Sequence, residues 1–272
     1  MKKYLTILIS AIISGFCITI GVCAYLNMLH LNNKLVGSLM FGLGLFTIIH
    51  FNFWLYTGKA GFVLDNKPKY LIDLIVCLIG NLIGVIVLSS IISLTRYGAI
   101  LHEQAALLVE QKQNDTWYSI FIQSIMCGIM IYLAVAGHKK CEYPLGKVLF
   151  CFLAVSIFII CGFEHCVANA SYYTFAKILN LKVFFYFILM IIGNACGSII
   201  FDGLLKLIDK IKSQEQNSWL LILIFNYLII NSVSSSNKWQ WFISNTSFNG
   251  WPGAKSSLDG TDAIIGSPSI AV

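Results

Sequence analysis

Glu164, His165 and Asn169 stand within six residues of one another inside a long apolar run, IICGFEHCVANASYYTFAK, from Ile159 to Lys177. A carboxylate accepts hydrogen bonds or pairs with a cation. An imidazole, with an ordinary pKa of about 6.5, hydrogen-bonds an anion or exchanges a proton with it near neutral pH. Such groups are costly in hydrocarbon, about 2.5–3.5 kcal/mol for a charged side chain at the centre of a membrane helix on insertion scales. They therefore face a protein interior or a water-filled path. The chemistry this favours is passage of a small solute through a channel or transporter. Acid–base catalysis by Glu164 and His165 would need a second cluster or a cofactor motif, and the chain carries neither, so an enzyme is not expected.

The elements that must hold these groups are membrane spans. Of 272 residues, 58% are hydrophobic and 11% charged, with a mean hydropathy of +0.80. A soluble domain averages roughly 25% charged residues, so the class is an all-α polytopic membrane protein. Spanning takes about 20 apolar residues. On that measure six spans are expected, roughly at 4–29, 35–64, 70–95, 117–137, 146–175 and 182–208. The second and fifth are too long and too interrupted for one straight helix. The second carries Tyr56-Thr57-Gly58 before Lys59, and the fifth carries GFEHCVANA. Broken helices at corresponding places in two halves point to a transport site.

An internal repeat runs at an offset of 113 residues: Ile79-Gly80-Asn81 with Gly84 recurs as Ile192-Gly193-Asn194 with Gly197, and Gly15 recurs as Gly128. Three spans map onto three, which forces opposite topology on the halves, about 4–95 and 117–208. The same offset sets the Tyr56-Thr57 break opposite Asn169-Ala170. The glycines read as close helix packing, within a protomer or between protomers. Asn81 and Asn194 read as braces for freed backbone at the breaks. On a helix, neighbours lie about 100° apart, so His165 is expected to meet the solute while Glu164 braces the break and Asn169 closes it. The half-helix N-termini should offer unpaired N–H groups and a positive dipole end, which suit an anion. Lys59, Lys177 and Lys182 lie near the mouths, and His50 and His138 are expected at the interface.

Basic residues orient the chain. With the N-terminus inside, ten lysines fall on inner segments and four lysines plus Arg96 on outer ones. The N-terminus and the end of the sixth span are therefore expected in the cytoplasm, in a plasma membrane. The loop from Thr95 to Thr116 is then outside. Met1-Lys2-Lys3 before Tyr4–Met28 resembles a signal peptide, but the run is too long and lacks a small-residue cleavage site, so a retained span is expected. The nine cysteines sit mostly in apolar runs without metal spacing and read as packing residues. No cofactor, metal or nucleic acid is expected. Residues 1–213 are read as the channel domain. Residues 214–272 are read as a tail outside it, either disordered or a fusion or frameshift product, because the apolar run Trp219–Ile230 is too short to span.

Together, Gly162-Phe163-Glu164-His165 with Ala168-Asn169, the Leu55-Tyr56-Thr57-Gly58 break and the two Ile-Gly-Asn segments resemble the formate/nitrite transporter family, from about Leu8 to Lys212. The resemblance implies an aquaporin-like protomer of six helices, assembled as a homopentamer. Each protomer would have its own pore for a small monovalent anion such as formate, nitrite, hydrosulfide or lactate. It makes His165 the pore histidine, Glu164 its brace, Leu55 and Thr57 the mobile break, and Asn194 a bracing amide. Phe41, Leu45 and Phe158, with Ile131, become apolar constrictions, and Lys112 the lysine ahead of the fourth span. Trp54 departs from the family's acidic residue before the break, Gly128 from its asparagine, and the amphipathic N-terminal helix is missing. A neutral-solute channel for water, glycerol or a weak acid shares the inverted repeat, but the paired Asn-Pro-Ala signatures of such channels are absent.

Overall fold

The computed structural model describes residues 2–234, and among them every regular element is helical. In chain order these are α1 (Lys2–His30), α2 (Lys34–His50), α3 (Tyr56–Ala60) with a 3-10 segment (Gly61–Asp65), and α4 (Tyr70–Ser93). Then come α5 (Gly98–Asn114), α6 (Trp117–Lys140), α7 (Pro144–Ile160), α8 (Cys166–Ala176) and α9 (Leu181–Ser234). α1, α4, α6 and α9 are long and apolar enough to cross a bilayer. α2 and α7 have 17 residues each, short of the roughly 20 a span needs. Each is completed beyond a break, α2 by α3 and α7 by α8. The chain is thus a multi-pass membrane protein of six crossings, two of them interrupted. A compact body covers Met1–Lys210, and a second unit begins at Ile211. The tail expected after Ser213 begins inside α9, which stays helical to Ser234, and residues 235–272 lie outside the described part.

Both interruptions have the same cause. After α2, the Phe53 N–H reaches back to Ile48 O at 2.9 Å, with Asn52 at φ 54° between. After α7, the Phe163 N–H reaches Phe158 O at 2.8 Å, with Gly162 at φ 74°. This six-to-one bond over a left-handed residue ends a helix and turns the chain out of its axis. Asparagine tolerates the left-handed region and glycine favours it, so the same turn is written with different residues in the two halves.

The helices that flank each break pack backbone to backbone. A Cβ on Gly84 would meet the Ile12 carbonyl and the Gly15 Cα of α1, and one on Gly128 of α6 would meet the Asn194 backbone of α9. Glycine at these crossings removes the side chain that would hold the helices apart. The small residues therefore pack α1 against α4 and α6 against α9 within the protomer. Gly128, the departure from the family's asparagine, is one of these contacts.

The stretch expected as an outer loop is helix α5. Leu101, Ala105 and Val109 recur every four residues and are fully buried, which makes it an amphipathic helix packed on α1 and α8.

Candidate functional site

The break segments are fixed by two asparagines in matching roles. Asn81 of α4 accepts from the Tyr56 N–H at 2.8 Å and donates to Trp54 O at 2.9 Å and Ala11 O at 2.8 Å. Asn194 of α9 accepts from the Cys166 N–H at 2.9 Å and donates to Glu164 O at 2.7 Å and Ser124 O at 2.8 Å. Asn81 caps α3, whose own N-cap residue offers no side-chain acceptor, and Asn194 caps α8 at Cys166 beside the cap that His165 gives Ala168. Each also satisfies the carbonyl two residues earlier and a carbonyl on the neighbouring long helix. Ala11 and Ser124 keep the offset of 113, but Trp54 and Tyr56 match Glu164 and Cys166 at an offset of 110. The break opposite Tyr56-Thr57 is therefore Cys166-Val167, not Asn169-Ala170. α1 runs three residues further past Gly15 than α6 does past Gly128, and a register without gaps misplaces the broken crossing that follows, while the offset of 113 returns at Asn81 and Asn194. In the true register, His165 is the counterpart of Leu55.

His165 is the N-cap residue of α8, with extended backbone (φ −99°, ψ 114°). Its Nδ1 accepts from the Ala168 N–H at 3.0 Å. A nitrogen that accepts carries no proton, so the neutral ring holds its hydrogen on Nε2. Nε2 lies 2.9 Å from Thr57 Oγ1, and the imidazole donates to the threonine. The Thr57 hydroxyl proton is then left to donate elsewhere. The two breaks meet at this bond, and both residues are nearly inaccessible, at 1% and 2%. Contrary to expectation, the α8 N-terminus does not present free N–H groups throughout: Cys166 and Ala168 donate to the Asn194 and His165 side chains.

Glu164 lies in the extended turn, not on a helix, so it and His165 are not confined to different helical faces. Their side chains line one cavity of about 260 Å³, together with Lys112, Asn169, Phe158 and Tyr172. Lys112, on α5, places Nζ 2.6 Å from both Glu164 oxygens, and the side chains are 15% and 3% exposed. Removing one partner of such a buried pair leaves an uncompensated charge, at a cost of about 3–5 kcal/mol. Asn169 donates to Glu164 Oε2 at 2.8 Å and to His165 O at 3.0 Å, while its Oδ1 is buried without a partner. Lys34, Gln123 and Asp115 also line this cavity and were not anticipated. Lys34 and Asp115 stand at helix ends and Gln123 inside α6, and the sequence alone does not say which way these side chains point.

Apolar groups close the floor. Phe41 and Phe158 meet edge to face with ring centroids 5.9 Å apart, and Phe158 stacks on His165 at 5.8 Å. A smaller cavity of about 30 Å³ lies among Leu45, Leu55, Gly58, Lys59 and Lys139. Thr57, between Leu55 and Gly58 in the chain, joins the two sides through His165. Phe41, Leu45 and Leu55 are each 1% exposed. Ile131 is equally buried but lines neither cavity. Lys59 donates to Asn52 at 3.1 Å and lies over the Trp54 ring. Trp54, where the family often has an acid, thus faces a lysine.

The profile of the formate/nitrite transporter family matches residues 1–208. The chain is 25% identical over 177 residues to formate channel FocA of Haemophilus influenzae, an alignment covering 59% of this chain and 62% of that protein. It is 27% identical over 197 residues to formate channel FocB of Escherichia coli, covering 64% and 68%. The chain thus spans less than two thirds of the first relative's length. Its fold matches a pentameric formate channel with formate bound (TM-score 0.63, 23% identity, 82% of this chain and 98% of that one). It also matches an FNT family ion channel (TM-score 0.61, 20% identity, 74% and 87%). The fold is the aquaporin-like one of these channels.

Proposed function

The chain belongs to the formate/nitrite transporter family, and we propose that it carries a small monovalent anion such as formate, nitrite or hydrosulfide through a pore in each protomer. The observation that carries this reading is the bond between His165 Nε2 and Thr57 Oγ1, set at the floor of the larger cavity and flanked by Phe41 and Phe158. A bare anion entering an apolar constriction loses its hydration at large cost. At this point it meets the Thr57 O–H, left free by the direction of the histidine bond. His165 either shares its Nε2 hydrogen with the anion or first takes up a proton from the acidic side on Nδ1, in place of the Ala168 bond, and as imidazolium passes the Nε2 proton on, so that a neutral acid crosses and the ring ends neutral. Phe41 and Phe158 form the constriction on the large-cavity side, and Leu45 and Leu55 the one on the other. Lys112 and Glu164 hold the cavity wall as a pair, and Asn81, Asn169 and Asn194 hold the breaks. Ile131 is buried in the apolar core that Phe41, Leu45, Leu55 and Phe158 share.

We further propose a homopentamer, with residues 1–213 as the channel domain and with the N-terminus and the end of the sixth crossing in the cytoplasm. The test is flux into proteoliposomes of formate, nitrite, hydrosulfide and lactate at several pH values, with wild type and Thr57→Val. Uptake should rise as the outside is acidified, because a proton accompanies the anion. It should fall at least tenfold in Thr57→Val, as expected for loss of about 1.4 kcal/mol or more of a charge-assisted hydrogen bond. Liposome swelling without anion flux would instead make this a neutral-solute channel.

A further inference from the structure

α3 is a single turn, and one turn of helix does not hold itself together. Thr57 must therefore be held in part by the residues C-terminal to it. The 3-10 segment Gly61–Asp65 continues α3 without a gap and is clamped from two long helices. Gly61 lies against the Tyr132 ring of α6, where a Cβ would collide, and Phe62 packs on the same ring at 5.8 Å. The Tyr132 hydroxyl donates to Asp202 Oδ1 of α9 at 2.6 Å. Lys206, one turn along α9, donates to Asp202 Oδ2 at 2.6 Å and pairs with Asp65 Oδ1 at 2.6 Å. The Asp202 carboxylate is 5% exposed and uses both oxygens, so it is a fixed anchor. Lys206 bridges that anchor to the end of the segment carrying Thr57.

The repeat supports the same reading. Ser89 of α4 is the counterpart of Asp202 at the offset of 113, and its hydroxyl bonds Ser171 of α8 at 2.9 Å. At this one position, each long helix ties down the half helix of the opposite break. The longer α8, with 11 residues, is tied by two neutral hydroxyls, and the five-residue α3 by a chain of charges.

We infer that Asp202 and Lys206 are positioning residues for Thr57, acting through Asp65 to hold its hydroxyl at His165. This rests on the transport reading above, so the experiment has one arm that does not depend on transport. Full-length protein in lipid nanodiscs is examined by hydrogen exchange, and formate uptake is measured in proteoliposomes. In Lys206→Gln, amide exchange across residues 57–66 should quicken about two- to fivefold, the scale of a partly exposed ion pair, with α8 unchanged and Lys206→Arg restoring it. Formate uptake should fall several-fold in Lys206→Gln but show no further fall when Lys206→Gln is added to Thr57→Ala. Asp65→Asn should reproduce both effects and serves if Lys206→Gln does not fold. Unchanged exchange across residues 57–66 in both variants overturns the inference, as does an undiminished Lys206 effect on the Thr57→Ala background. Wild type that takes up none of formate, nitrite, hydrosulfide and lactate overturns the transport reading alone, and the exchange arm still decides the positioning.

Discussion

The two interrupted crossings are built alike and finished differently. Each ends a 17-residue helix over a left-handed residue, runs extended, and restarts under an asparagine from the third crossing of its own half. At the residue before the restart, one break has Leu55 and the other His165. The shared parts are those the backbone requires: a helix cannot break inside a bilayer unless its freed N–H and C=O groups find partners in protein. The differing part is the one the backbone leaves free. An apolar cap residue on one side and an imidazole on the other make a symmetric scaffold chemically unlike at the point where its two breaks meet.

Substitutions break this comparison to different degrees. The largest expected effect is at the pair found on the His165 side only. Lys112→Leu should destabilise the protein by about 3–5 kcal/mol, read as a lowered melting temperature, and adding Glu164→Gln should recover most of it. Failure of the double substitution to recover would show that Lys112 does more than neutralise Glu164. The next effect is shared by the halves. Asn81→Ala and Asn194→Ala each leave the N–H and the C=O of one break without partners, and each should cost a similar amount, on the order of 2–4 kcal/mol after local relaxation. A difference of more than about 2 kcal/mol between them would mean that the halves do not bear equal load. The smallest effects lie at the turns. Gly162→Ala forces a side chain into the left-handed region, with open space around it, and should cost about 1–2 kcal/mol. Asn52→Gly should change stability by less than about 1 kcal/mol, since both residues accept that backbone.

These cases also show what the sequence could reveal. The second break was legible because an acid, a histidine and a glycine interrupt an apolar run, and the composition required crossings on either side. The two asparagines were legible from the repeat. The register between the breaks was not, because the difference in length past Gly15 and Gly128 is invisible until the helices are laid side by side. Glu164 was assigned away from the cavity on the assumption of a continuous helix, and the extended turn at His165 removes that assumption. α5 was hidden by its charges, although its every-fourth-residue apolar stripe could have shown it. The direction of the Thr57–His165 bond was beyond reach, since it depends on the Ala168 N–H occupying the other ring nitrogen.

The central claim is that the polar point at His165 carries the solute. It is tested most directly by formate uptake into proteoliposomes containing His165→Leu, which gives both breaks the same cap residue. Loss of the Ala168 cap should cost about 1 kcal/mol, so the variant should still fold and keep its oligomeric state. Its formate flux should fall to the level of empty liposomes. Uptake at the wild-type rate and with the wild-type pH dependence would contradict the claim.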